Sequence, residues 1–327
     1  MPFDVFGMCY ALFDLQATVE PQVLDDLGLV RGAMHLIDEA QHAAIVRAVR
    51  DSIVNTAAGG SGANTMIGVA SLGGTACFTS RVGRDDFGAA YVRSLSDAGV
   101  RPNLRQGDGA TGICVVLITP DKERTMCTYL GEGRRLTPSD VVLGDLRQSR
   151  MLYVTGYLWD TDDQKAAVIA AVAEARRFGI RVALSLADRF CIDRHRDDFT
   201  GILGGDVDVV FGNQDEALLL SGESEPAAAA SALGARGTLA FVTLGANGAL
   251  VSRGGDVTQV PAVAVEPVDT TGAGDAFAAG ALFGLTHGHD ALEAARLGSA
   301  LAAHVVSRMG PRPDAEIARK MSPRCAE

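Results

Sequence analysis

Lysine is almost missing from this chain of 327 residues: it occurs only at Lys122, Lys165 and Lys320, and none of the three follows a glycine. That excludes a P-loop of the GxxxxGK[ST] type, whose lysine must reach the terminal phosphates. No CxxC pair occurs, and Cys9, Cys77, Cys114, Cys127, Cys191 and Cys325 have no histidine at metal-ligand spacing. They are expected to be reduced and buried as small hydrophobes. No run of eighteen apolar residues is present, so a membrane-spanning helix is not expected. The amino end "MPFDVFGMCYALFD" lacks the basic start and cleavage site of a secretory signal, which makes the cytoplasm the expected location. Excess positive charge is lacking too, since 29 Lys and Arg against 40 Asp and Glu give a formal net charge of -11. Nucleic acid and acidic membrane surfaces, which need a basic face, are therefore not expected partners. Any anion must be held locally.

What the chain does have is alternation. Its length admits one large α/β domain with an accessory piece, or two modest domains. "FDVFGMCYALFD" starts as an apolar strand and ends on Asp14, and "DEAQHAAIVRAVRDS" has amphipathic helical spacing. "SIVNTAAGGSGANTMIGVASLGG" reads as a strand, a Gly-rich turn and a helix of small residues. "TACFTSRVGRDDFGAAYVRSLSDAGV" repeats the pattern, with Asp85 as amino cap. From Arg150 strands and helices again alternate to the end, which predicts an α/β fold with a mostly parallel central sheet and helices on both faces. The interruption is "TGICVVLITPDKERTMCTYL", two apolar strands around "TPDKER" that predict a β-hairpin. With the irregular segment from Ala17 to Ile37 it would build a small projecting sheet, a lid drawn from about 15–38 and 109–131.

"DTTGAGDAFAAG", from Asp269 to Gly280, is the sharpest motif. A turn with Gly272 and Gly274 can aim successive backbone N–H groups at one point, and the following helix adds the positive end of its dipole. Asp275 is then either the cap of that helix or, if it points away from the amides, a base for a hydroxyl beside a bound phosphate. A dinucleotide GxGxxG is ruled out by Phe277 at the sixth place. "RHRDDFTG" spells a kinase HRD but has Ile202 where that motif wants asparagine, and it reads as a solvated helix start. "AAGGSGANT" places Asn64 at a helix start, either as a cap or as a donor to vicinal hydroxyls. "GNQDEA" puts Asn213 and Glu216 three apart at a strand-to-helix junction, either an ordinary capped helix or a carboxylate for hydrated magnesium. "TLGANGA" offers Thr243, Gly245 and Gly248 between two strands, either a hairpin turn or a close approach to a nucleotide.

The ordered set GGxxxN, NxxE, TxGxxG and DTTGAGD resembles the ribokinase family, also called the PfkB carbohydrate kinases, over essentially the whole chain. "ALFD", "GGSGANT", "TGIC" with "DKERTM", and "GYLWD" resemble its adenosine kinase branch. The resemblance implies a single kinase unit over 1–327 with a small β-sheet lid, acting on ATP and a small nucleoside or sugar, as monomer or homodimer. It implies that Asp275 is the base and that the amides of Gly272, Ala273, Gly274 and Asp275 form the anion hole. Asn213 and Glu216 would serve ATP and Mg2+, while Thr243, Gly245 and Gly248 would line the ATP site. Asp269 and Thr271 would hold a monovalent cation such as K+. Asp14, Gly60 and Asn64 would bind sugar hydroxyls, Leu12, Cys114, Tyr157 and Phe190 a purine, and Arg124 would be a lid arginine reaching the phosphates. The expected reaction is phosphorylation of the 5'-hydroxyl of adenosine. A sugar kinase of the same family and a non-catalytic nucleoside-binding protein are the alternatives.

Overall fold

Strands buried on both faces read as unbroken apolar runs, and "MLYVT" and "LAFVT" are of that kind. They lie at the centre of a computed structural model that describes residues 2–235 and 237–321. In chain order the strands are β1 (Phe3–Met8), β2 (Leu12–Thr18), β3 (Met34–Leu36), β4 (Ile53–Gly59), β5 (Ala76–Gly83), β6 (Val100–Gly107), β7 (Gly112–Ile118), β8 (Arg124–Tyr129), β9 (Ser149–Thr155), β10 (Arg181–Ser185), β11 (Val209–Asn213), β12 (Leu239–Thr243), β13 (Ala249–Arg253) and β14 (Asp256–Val260). Nine of them form one sheet in the order β14-β13-β12-β11-β10-β9-β1-β5-β6. It is parallel from β12 to β6, and only β13 and β14 run antiparallel. Helices cover both faces, as the alternation requires.

A second sheet of five strands has the order β3-β8-β7-β2-β4. The expected hairpin is β7 with β8, antiparallel, and β3 supplies an edge. Two readings of the sequence need correction here. The apolar run "FDVFGMCYALFD" is two strands, not one: the chain leaves the large sheet after Met8 and enters the small one at Leu12. Likewise β4 pairs with β2 rather than joining the parallel layer, so the small sheet also draws on 53–59. The physical reason is visible in β2, whose burial alternates along the strand. One face carries Phe13, Leu15 and Ala17 inward, and the other leaves Leu12, Asp14 and Gln16 only partly buried, an alternation foreign to a doubly covered parallel strand.

"RHRDDFTG" is not a helix start. It lies inside the helix Arg189–Ile202, which begins five residues earlier under the cap of Asp188 and is kinked at His195. Asp85 caps its helix as expected, accepting from the Gly88 amide. Cys9, Cys77, Cys114, Cys127 and Cys191 are free and buried, and Cys325 lies outside the described residues.

Three helices meet through glycine. A Cβ on Gly68 would lie 2.5 Å from the Ala279 Cβ, and one on Gly280 would lie 2.7 Å from the Gly298 backbone. The helix Ala273–Thr286 is thereby drawn onto both the helix Ser61–Ser71 and the helix Ala291–Val306. Gly298→Val, whose Cβ would stand 2.6 Å from the Phe277 carbonyl oxygen, is expected to destabilise the fold by about 1–3 kcal/mol. Urea titration checks this as a lower midpoint at unchanged slope, with Gly144→Ala, a site of open space, as the neutral control.

Candidate active site

The turn before the helix Ala273–Thr286 depends on Gly272, whose φ of 77° is left-handed. A side chain there would be strained and would also strike Pro311. No side chain caps this helix. Of the four amides expected to form an anion hole, that of Ala273 is spent on the Thr270 carbonyl at 3.2 Å. The amides of Gly272, Gly274 and Asp275 have no such backbone partner.

Asp275 is not the cap. Its carboxylate turns to the helix Ser61–Ser71, where Oδ1 accepts from Ser61 Oγ at 2.6 Å and Oδ2 from Asn64 Nδ2 at 3.2 Å. Ser61 and Asn64 stand three residues apart and so share a helix face, and the contact at Gly68 sets that face close enough to reach. Burial raises the Asp275 carboxyl to about 6, against the two hydrogen bonds, which favour its charged form. At neutral pH it is therefore a charged base of more than ordinary strength.

A cleft of about 230 Å³ opens beside it, lined among others by Ser61, Tyr157, Asn213, Glu216, Thr243 and Gly274. Asn213 caps the helix Gln214–Ser221 in a reciprocal box: its Oδ1 accepts from the Glu216 amide at 2.9 Å, and Glu216 Oε2 accepts from the Asn213 amide at 3.0 Å. The capping reading of this motif is therefore the one the structure shows. Glu216 is the partner of an ordinary cap and also a buried carboxylate facing the cleft, raised to about 7 by burial and by the charges of Asp188 and Asp215. A buried acid in a cleft that already holds Asp275 suits a divalent cation kept at one water's remove. Gly245 has open space where a side chain would stand. Gly248 does not, because a Cβ there would strike the backbone of Val260 and Ala262, so the chain's own crossing demands the glycine.

On the other side of Asp275 lies the small sheet. Asp14 and Cys114 are paired in register, Cys114 is paired with Thr128, and this row shares one face with Leu12. The Asp14 carboxyl is raised to about 7 by burial, with Arg312 pulling the other way. Gly60, with φ of 90°, joins β4 to the helix bearing Asn64, and a Cβ there would lie 2.8 Å from the Tyr10 carbonyl oxygen.

Arg312 was not singled out by its sequence. It follows the last long helix in "MGPRPD" and reaches back to donate to the Ala58 carbonyl, to Ser94 Oγ at 3.1 Å and to Asn64 Oδ1 at 3.5 Å. It thus fixes which end of the Asn64 amide faces Asp275. Ser61 was missed as well, although it lies inside the GGSGANT motif.

Two expected contacts are not formed. Phe190 is 61% exposed at the start of its helix and does not close a purine pocket. Tyr157 belongs to the cleft beside Glu216, its hydroxyl donating to the Ala187 carbonyl at 3.4 Å. Ala187 itself has φ of 74°, a strained value for a side-chain-bearing residue at the cleft wall. Arg124 is not directed at the cleft either. It is bound to Asp269 and Thr271, the residues expected to hold a monovalent cation. A guanidinium on both carboxylate oxygens leaves no place there for potassium, so that expectation does not fit.

Residues 33–318 match the pfkB family of carbohydrate kinases. Over 238 residues the chain is 32% identical to a fructokinase of Klebsiella pneumoniae, across 70% of this chain and 78% of that one. The crystal structure of adenosine kinase from Sinorhizobium meliloti superposes with a TM-score of 0.89 at 36% identity, over 98% of this chain and 99% of that one. A probable sugar kinase from Rhizobium etli CFN 42 does so with a TM-score of 0.89 at 34% identity and the same coverage. A buried carboxylate beside an uncapped helix terminus and an open cleft is an arrangement compatible with phosphoryl transfer. The chain belongs to the pfkB family of carbohydrate kinases and is a phosphotransferase acting on a sugar or nucleoside.

Proposed function

We propose that the chain transfers the γ-phosphoryl group of ATP to the 5'-hydroxyl of a ribonucleoside, with adenosine as acceptor and AMP as product. The observation that carries the transfer itself is Asp275, charged at neutral pH, held by Ser61 and Asn64 rather than by its own helix. In this reading the acceptor hydroxyl lies between Asp275 and the terminal phosphate. Asp275 takes its proton as the oxygen attacks phosphorus and the bond to the β-phosphate oxygen breaks, giving a phosphate ester and ADP. The amides of Gly272, Gly274 and Asp275 face the charge gathering on the transferring group, a contribution of about 3 kcal/mol for each well-aimed donor. Asp14 and Asn64 accept and donate to the ring hydroxyls and hold the acceptor in line. Glu216 would hold a magnesium ion through water, and that ion would supply neutralising charge to the phosphates.

Adenosine is supported by the 36% identity to the Sinorhizobium meliloti adenosine kinase and by the apolar side chains of Leu12 and Cys114 beside Asp14. A sugar acceptor is the second reading, favoured by the exposure of Phe190, which leaves the expected base pocket without its aromatic wall, and by the fructokinase relative. Turnover of a panel of nucleosides and sugars, followed as ADP release, separates the two. Adenosine is expected to give the highest kcat/KM, and fructose or ribose turnover without adenosine turnover would overturn the assignment.

Asp275→Asn is expected to lower kcat by about 10²- to 10⁴-fold with little change in nucleotide affinity. The acid limb follows from the same residue. Protonation of Asp275 removes the base, so kcat falls as pH drops through about 6. Asp14 and Glu216 also titrate near 7, so the limb alone does not identify its owner. Ser61→Ala does, because Ser61 hydrogen-bonds Asp275 and neither of the others. Loss of a hydrogen bond to the charged form must move the limb to higher pH. A pH–rate profile that stays in place on this substitution would assign the limb elsewhere.

A further inference from the structure

Arg124 opens β8 in the small sheet, and Asp269 lies 145 residues further along the chain, on the loop that leads into the Gly272 turn. The two meet in a two-pronged ion pair. Nη1 donates to Asp269 Oδ1 and Nη2 to Oδ2, each at 3.0 Å, and Nη1 also donates to Thr271 Oγ1 at 2.6 Å. The same carboxylate is closed from behind by backbone: Oδ1 accepts from the Thr271 amide at 3.0 Å and Oδ2 from the Gly310 amide at 3.1 Å. Each oxygen therefore carries two donors, and the carboxylate is saturated. The Asp269 side chain is 4% exposed, yet these donors hold its carboxyl down at about 2.

The position of the pair gives it a consequence. Asp269 is three residues ahead of Gly272, and Pro311, next to Gly310, is the neighbour against which Gly272 packs. Whatever satisfies Asp269 thus sets the turn that presents the amides. A planar guanidinium with two parallel N–H bonds fixes orientation as a spherical ion does not.

We propose that Arg124 is the built-in cation of this site, a positioning residue that holds the 269–272 turn in place of a monovalent metal ion and ties it to the small sheet. A bare cation and a guanidinium compete for the same two oxygens, and the guanidinium is tethered. Attachment to the sheet bearing Asp14 also means that the turn is held in place only when that sheet stands over the site. This rests on the anion hole lying at 272–275, but not on which acceptor is used.

The test uses the full chain and whichever acceptor turns over, with tetramethylammonium as the background cation. For the wild type, potassium chloride titrated through the millimolar range is expected to leave both kcat and the thermal unfolding midpoint unchanged. Activation by potassium, or an unfolding midpoint raised by potassium and not by tetramethylammonium, would overturn the proposal. Arg124→Ala is expected to lose about 100-fold in kcat at little-changed KM for ATP, the cost of a turn displaced by about 1 Å. Added guanidinium or potassium is expected to restore part of the loss and to raise the variant's unfolding midpoint. No recovery with either cation, or a raised KM for ATP at unchanged kcat, would show that Arg124 acts on the nucleotide or on the fold alone. Arg124→Lys, which keeps the charge but cannot span both oxygens, is expected to lie between the two and covers the case of a poorly folded alanine variant. The unfolding measurements need no acceptor, so they test Arg124 even if the acceptor assignment fails.

Discussion

A carboxylate that is to act as a base at neutral pH must be charged, and it must also be out of bulk water; the rest of this site follows from meeting both conditions at Asp275. In the proposed reaction its own helix cannot supply the stabilising donors, since those amides would face the transferring phosphoryl group. The donors come instead from Ser61 and Asn64 on another helix. That requires two helix axes to approach closely, which Gly68 and Ala279 allow. Local chemistry at one residue thus dictates the composition of two helices over several turns. The small-residue run after Asp275 follows from that contact.

Much of this could be read in the sequence, for physical reasons that differ from element to element. The parallel layer was legible because its strands are continuous apolar runs separated by helical periodicity. The Asp275 turn was legible because glycine pairs before a helix of small residues are informative about backbone. The split of "FDVFGMCYALFD" was not, since leaving one sheet for another at Cys9–Ala11 changes no local propensity. Arg312 and the Arg124–Asp269 pair were also hidden, because a contact between residues 145 positions apart leaves no local trace. Phe190 shows the opposite failure, a residue of the right type at the right place in the order whose side chain points to solvent. Gly248 was assigned to a ligand when its requirement comes from the chain's own crossing.

The loop after the last long helix joins several of these themes. Gly310 donates to Asp269, Pro311 packs on Gly272, and Arg312 reaches Asn64 and Ala58. One short irregular segment therefore touches the Gly272 turn, the asparagine that holds Asp275 and the strand bearing Ala58. Loops of this kind carry function because a rigid scaffold sets their ends.

Burial lifts the carboxyls of Glu216 and Asp14 to about 7, into the range where a carboxyl exchanges protons near physiological pH. Any cation or hydroxyl donor that settles against them draws their affinity for protons down again. By linkage, a cation or hydroxyl donor that binds there expels protons into the surrounding solution. The heat of ligand uptake then includes the ionisation enthalpy of the buffer, and the apparent affinity rises as the medium becomes more alkaline across that range. Burial of two acids thus couples the uptake of cations and hydroxyl donors to the release of hydrogen ions before any chemistry occurs.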